Sequence, residues 1–367
     1  MLLLGLMLVS AFAEVVSLGA VLPFLGVLTA PERVFNYPIV ADMARTWGIA
    51  SADQLVLPFT IAFVTAALLA GSIQMLLLWA STRLSFTAGA DLSSEVYRRT
   101  LYQPYKVHVA RNSSEVISGI TSKVGGAVNV LYMLLTLISS SVLIASVMTA
   151  LIAIDPIIAA VAGIGFGVSY GLITRWSRRT LKRNSQYIAR DSTQVVKVLQ
   201  EGLGGIRDVL LDGTQPVYCD IYRQADLSLR RAQGNNRFLA GSPRYVIEVL
   251  GILLIAALAY GLSRQAGGIT PALPALGALA LGAQRLLPAL QQGYSAWANI
   301  VGSQALLSDV LDLLDQDIPA ASLLESPAPL TVKNNICFEA VSFRYNSDGP
   351  WVLNDLNLNI PKGARVG

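Results

Sequence analysis

The chain has 367 residues, of which 53% are hydrophobic and 14% charged, and a formal net charge of +4. Soluble domains carry about 25% charged residues, so this composition excludes an ordinary soluble protein and points to a membrane protein. One histidine, His108, and two distant cysteines, Cys219 and Cys337, give no disulfide framework and no metal-ligand spacing; both thiols are expected at buried or interfacial positions.

A helix needs roughly 20 apolar residues to cross a bilayer core. Residues 1–28 form the first such run, interrupted only by Glu14. It is too long for a signal peptide, lacks a basic start and carries an acid in its middle. The second run lies within 54–82, the third within 124–154 and the fourth at 156–174. The fifth covers about 245–263 and contains Glu248; the sixth covers about 272–300 and contains Arg285. Six transmembrane helices are therefore expected.

Lysine and arginine set the orientation. Residues 83–123 carry six basic residues and residues 175–244 carry thirteen, whereas the opposite connections carry only Arg33, Arg45 and Arg264. Both long segments, and both termini, are thus expected in the cytosol. The cluster Arg175, Arg178, Arg179, Lys182 and Arg183 stands beside a span and suits anionic lipid headgroups rather than nucleic acid.

The two long segments keep helical spacing, as in Leu92, Val96 and Thr100, or Val195, Val198, Leu199 and Leu203. They read as helices that continue past the membrane, turn and return. The first turn is expected near His108 to Glu115, where Asn112-Ser113-Ser114-Glu115 has the pattern of a capping box. The second is expected between Gly202 and Gly213, where several glycines permit a chain reversal. Residues 315–335, with Pro319, Pro327 and Pro329 among small and acidic residues, read as an exposed linker.

Beyond the linker the pattern changes. Phe343 and Tyr345, then Leu356, Leu358 and Ile360, alternate with polar residues as in strands. Asn346 to Pro350 marks a turn between the two runs. The residues Phe338, Val341, Ser342, Phe343 and Tyr345, followed by Val352, Leu353, Leu356, Leu358, Ile360 and Gly363, resemble the start of the nucleotide-binding domain of ABC exporters. Gln103-Pro104-Tyr105 through Glu115 looks like the first coupling region of that family, and Glu201 to Gly213 like the second. Ser242-Pro243-Arg244-Tyr245 and Gln284 to Gln291 look like the subgroup of lipid-linked oligosaccharide flippases and exopolysaccharide exporters.

The resemblance implies an all-α membrane protein: a transmembrane domain of six long helices with cytosolic extensions over residues 1–314, a linker over 315–335, and the first β-strands of a nucleotide-binding domain over 336–367, truncated before its phosphate loop. It implies an ATP-driven half-transporter in the cytoplasmic (inner) membrane, working as a homodimer by alternating access. The cargo would be an amphipathic, lipid-linked saccharide; peptide, lipid or drug export is the alternative, as is a membrane fragment without ATPase activity. ATP and Mg2+ would serve the intact protein, with neither expected to bind this stretch tightly. Partners would be membrane lipids and a second copy, not nucleic acid.

The resemblance also assigns residues. Arg111, Asn112, Ser113, Ser114 and Glu115, and then Glu201, Ile206, Arg207 and Asp208, would form the coupling regions. Tyr345 would stack on adenine; by spacing alone it is a strand aromatic covering a core. Glu14 and Arg285 would face the cavity between the first and sixth helices. An arginine at bilayer depth costs about 2.5–3.5 kcal/mol, so Arg285 either faces water and an anionic group, snorkels to a leaflet surface, or pairs with a carboxylate such as Glu14. No paired carboxylates or nucleophile–base set in the spans suggests chemistry within the membrane.

Overall fold

The computed structural model describes residues 2–29, 31–35, 40, 51–154, 156–263, 273–319, 334–345 and 349–366. Helices dominate. In chain order they are α1 (Leu2–Thr29), α2 (Pro31–Phe35), α3 (Val56–Leu101), α4 (Tyr105–Ala110), α5 (Ser113–Ser118), α6 (Val124–Ile154), α7 (Pro156–Gly204), α8 (Ile206–Leu211), α9 (Gln215–Gly241), α10 (Pro243–Ser263), α11 (Leu273–Gly302) and α12 (Gln304–Leu314). A short 3-10 turn, Ala52–Leu55, leads into α3, and a π-helical stretch, Gly119–Lys123, joins α5 to α6.

Each of the six apolar runs lies on a helix: α1, α3, α6, α7, α10 and α11. Among the described residues, three stretches are long and apolar enough to cross a membrane by length and composition: Leu2–Leu28, Ala52–Leu101 and Ser113–Ala153. The surface agrees. Leu57, Leu68, Met75 and Trp79 on α3 stand 63–74% exposed, an apolar face that water would penalise and lipid would not.

Two helices far exceed a bilayer. At 46 and 49 residues, α3 and α7 run about 70 Å each at about 1.5 Å per residue, against a hydrocarbon core of about 30 Å. Their far ends are bound by separate cores. One core joins α6, α7, α10 and α11 through Val147, Phe166, Tyr170, Ile247, Leu286 and Tyr294. A second joins α3, α6 and α12 through Val96, Val124, Val310 and Leu313. A third joins α7, α9 and α12 through Ile188, Leu229 and Leu306. Of the periodic residues, Val96, Thr100 and Val198 are buried; Leu199 and Leu203 are exposed, while Gly202 between them still faces Tyr218 of α9.

Strands β1 (Asn335–Phe343) and β2 (Leu353–Pro361) pair antiparallel, with Phe338 opposite Leu358 and Phe343 opposite Leu353. The register slips between Phe338 and Phe343. There Ala340 and Asp355 take positive φ angles of 50° and 52°. Side chains hold this bulge: Ala340 N donates to Asn357 Oδ1 at 2.9 Å, and Asp355 N to Ser342 Oγ at 3.0 Å. Tyr345 lies just beyond β1 rather than within it. Both cysteines are exposed free thiols, not buried ones: Cys219 sits on a solvent-facing turn of α9, and Cys337 on an uncovered face of the two-stranded sheet.

Candidate functional site

A cavity of about 490 Å³ opens between α1, α3, α6 and α11. Its wall mixes apolar groups with Ser10, Glu14, Gln74, Ser81, Tyr132, Thr136, Ser139, Gln284 and Gln292. Each of the four helices contributes at least one of these polar groups to the wall. Glu14 is 8% exposed. Gln74 Nε2 donates to Glu14 Oε2 at 2.5 Å, a charge-assisted bond that fixes the carboxylate against α3. In α11, Pro288 lines the cavity one turn after Gln284. Proline has no N–H, so the Gln284 carbonyl lacks its helical donor and is left as an acceptor.

Glu14 is one of the residues lining this cavity. Arg285 lies on α11 one residue from the wall residue Gln284; its side chain falls outside the described residues. Gln74 was missed. A lone amide inside the apolar run 54–82 is the same kind of signal as Glu14, and it could have been read as such. Glu248, on α10, is exposed.

The first connection turns where expected. Asn112 caps α5, its side chain accepting from Ser114 N at 3.0 Å and from Ser114 Oγ at 2.8 Å. Glu115 does not complete the reciprocal box; it lies 3.9 Å from Arg111. Ser114 is buried, whereas Asn112, Ser113 and Glu115 are exposed and Arg111 is half-buried. The second connection reverses through α8, with Gly213 at φ +64°. Glu201, Ile206, Arg207 and Asp208 are all exposed on it, while Val209 anchors the inner side.

Long-range hydrogen bonds with no local signature tie the first connection to the end of α12. Arg99 donates to the carbonyls of Leu314 and Gln316, the latter at 3.3 Å, and Gln103 Nε2 donates to the carbonyl of Asp317 at 3.0 Å. With the Gln316 amide oxygen turned toward it, Arg111 donates to that side chain at 2.8 and 3.0 Å. Carbonyls at a helix C-terminus lack helical donors and carry partial negative charge, so arginine suits them. Arg99 is itself oriented by Glu95, which accepts from it at 2.7 Å and from Arg98 at 2.9 and 3.1 Å. Hydrogen bonds from those two guanidinium groups, Arg98 first and then Arg99, hold the Glu95 carboxyl down at about 2, and the pairing with Glu95 raises Arg98.

Tyr345 meets the membrane domain directly. Its ring centroid is 6.4 Å from that of Tyr105 on α4, with the planes at 47°. Phe343 packs edge-on against it at 5.0 Å. Among the described residues no group of three or more His, Cys, Asp or Glu is placed to hold a metal.

Comparison with known proteins agrees with this architecture. Residues 7–269 match the ABC transporter transmembrane region. The fold is similar to the structure of a bacterial Atm1-family ABC exporter with ATP bound, at a TM-score of 0.63 and 20% identity, over 94% of this chain and 60% of that one. The chain thus spans about 60% of that exporter's length. No curated protein sequence matches it. A family match over most of the chain, joined to long helices that leave the bilayer and turn through short exposed ones, places the chain in the family of ABC transporter transmembrane regions.

Proposed function

We propose that the chain is the membrane-spanning part of an ATP-driven exporter that moves an amphipathic molecule with a hydroxyl-rich head, such as a lipid-linked saccharide, out of the cytoplasmic membrane's inner leaflet. The observation that carries this reading is the cavity between α1, α3, α6 and α11, whose wall sets serine, threonine, glutamine, tyrosine and glutamate side chains among apolar ones. Such a wall offers both donors and acceptors. Sugar hydroxyls match it, and an acyl tail would stay against the apolar residues and lipid.

In this reading two copies pair, both termini face the cytosol, and nucleotide domains following the linker bind ATP. Nucleotide must favour one conformation over the other, since a ligand of equal affinity for both shifts nothing. The exposed turns at α4–α5 and α8 carry that preference to the helices. The resemblance of residues 336–363 to the start of a nucleotide domain supports the ATP dependence.

The test is transport by the intact gene product in proteoliposomes. Lipid-linked saccharide should stimulate ATP turnover, and Gln74→Leu together with Glu14→Ala should abolish the stimulation while leaving basal turnover. Stimulation by short peptides or hydrophobic cations instead of saccharide would overturn the cargo assignment. No nucleotide-dependent transport of any amphipath would overturn the exporter reading.

A further inference from the structure

We infer that a polar pocket walled by the first connection, α7 and α12 binds a small phosphate-bearing anion from the aqueous phase. The site is separate from the cavity between α1, α3, α6 and α11, and it does not depend on the cargo proposed for that cavity.

Three observations carry it. First, a pocket of about 490 Å³ lies against one stripe of α7, where Gln186, Arg190, Thr193, Gln194 and Lys197 recur at helical spacing. Lys123 and Asp309 close it from the π-helical stretch and α12, and Glu115 from the first connection. Its apolar wall residues, Ala189 and Ala305, are small, so the pocket suits a polar occupant. Second, its three cations have donors to spare. Lys123 is 8% exposed and meets the Asp309 carboxylate at 2.6 Å; an ammonium has three N–H groups, so two remain for a further acceptor. Arg190 Nε donates to Asp191 Oδ1 at 3.0 Å, which leaves both Nη groups. Lys197 lies 3.8 Å from Glu201, beyond hydrogen-bond reach. Glu115 and Asp309 oppose these three cations, so the wall keeps one net positive charge. A phosphate has enough oxygens to accept from several such donors at once, in short charge-assisted bonds. Third, the pocket is far from any headgroup. Gln186 and Lys197 lie 12 and 23 residues past the end of the apolar run at residue 174, or about 18 and 35 Å along the helix at about 1.5 Å per residue. The headgroup layer on each side of a bilayer is only about 5–8 Å deep. A lipid phosphate does not reach so far, which leaves a soluble anion.

The walls come from three separate segments, so an anion seated there ties the first connection to α7 and α12. A ligand that binds only this arrangement stabilises it over any in which the three walls part. The concentration of a soluble phosphate compound would then bias the joint between the exposed turn and the long helices.

The experiment titrates inorganic pyrophosphate into the 367-residue chain in phosphatidylcholine nanodiscs, by calorimetry at physiological salt. Saturable binding at one site per chain is expected, and its absence in the unaltered chain would overturn the site whatever the variants do. Arg190→Gln with Lys197→Gln, at positions 74% and 41% exposed, should weaken binding by about 10-fold or more. Glu115→Gln removes an opposing charge and should tighten it by about 2- to 3-fold, a gain that a merely structural role would not produce. An unchanged Kd in the double variant, or weaker binding in Glu115→Gln, would overturn the assignment of these residues. The titration is then repeated in phosphatidylglycerol nanodiscs. With a Debye length of about 8 Å, the Kd should hold; loss of pyrophosphate binding there would show that a lipid headgroup takes the site and would overturn the soluble ligand.

Discussion

Lys123 Nζ lies 2.6 Å from Asp309 Oδ2. The lysine side chain is 8% exposed and the aspartate 36%, and they join the π-helical stretch before α6 to the middle of α12. A buried lysine stripped of its partner is left uncompensated, which costs about 3–5 kcal/mol for a fully buried pair. The half-exposed aspartate reduces this, because water screens it. We expect Asp309→Asn to lower stability by about 1–3 kcal/mol, and Lys123→Met to cost less than Asp309→Asn. Thermal unfolding of the two variants and the double variant checks this; equal, additive losses would remove the pair as a lock.

The same contact between α6 and α12 depends on missing side chains. A Cβ on Gly126 would sit 2.6 Å from Leu306 Cδ1 and 3.1 Å from Leu306 Cβ, whereas one on Gly119 would meet only Leu313 Cδ1, at 2.7 Å. A terminal methyl can swing away; a Cβ moves only with its backbone. Alanine also gains about 1 kcal/mol of helix propensity over glycine, against an overpacking cost of about 1–3 kcal/mol. Gly126→Ala should therefore destabilise, and Gly119→Ala should be near neutral. The order of their melting temperatures decides the matter.

Where α11 gives way to α12, three polar groups hold the break. Asn184 Nδ2 donates to Asn236 Oδ1 at 2.9 Å, Asn236 Nδ2 donates to the Gly302 carbonyl at 3.2 Å, and Ala305 N donates to Ser185 Oγ at 2.8 Å. A Cβ on Gly302 would lie 2.6 Å from Asn236 Nδ2. Asn236→Ala should cost about 1–2 kcal/mol through lost hydrogen bonds. Gly302→Ala should also destabilise, but adding it to Asn236→Ala should cost little, since the clash is gone. Additive losses in the double variant would contradict this geometry.

Glu95 gives a pH dependence of definite sign. Its carboxyl is held at about 2 in the folded chain, below the ordinary 4.5. A depressed carboxylate contributes stability that is complete above about pH 4.5 and lost as the pH falls through about 2. The gap in melting temperature between the unaltered chain and Glu95→Gln should be constant from pH 7 to 5, then narrow between pH 4.5 and 2. Because the pair is solvated, molar salt should narrow the gap too. A gap that widens on acidification would reverse the assignment.

Local signals in the sequence were enough to find the helices. A long apolar run needs no partner to be recognised; the six runs lie on helices, and among the described residues three stretches are long and apolar enough to cross a membrane. Asn112 was legible for the same reason, since a cap is read from four adjacent residues. Contacts between distant segments were not. Nothing near Glu14 points to Gln74, sixty residues away, and nothing near Lys123 points to Asp309. The π-helical turn at Gly119–Lys123 has no residue signature either; it adds a residue so that Lys123 can face α12. Tyr345 was placed in a strand by its alternation with Phe343, but the strand ends first, at Phe343, whose carbonyl accepts from Val352 N at 2.9 Å as the last pairing with β2.

The strap on α12 has a consequence for how this joint tolerates change. Arg99 and Gln103 hold the carbonyls of Leu314, Gln316 and Asp317, groups that every amino acid carries. The exposed Asp315 and Asp317 can therefore be replaced without untying the joint, so long as the backbone keeps its path, whereas Leu314 also packs on the α3–α6–α12 core and Gln316 also takes Arg111 through its side chain. Arg99 has no such freedom, since its Nη1 serves both the Leu314 and Gln316 carbonyls while its Nε donates to Glu95, a spread of donors that the single ammonium of lysine lacks. Sequence drift at this junction should thus be lopsided, broad on the linker side and narrow at Arg99, and saturation mutagenesis would register the asymmetry as two very different tolerance profiles across one contact.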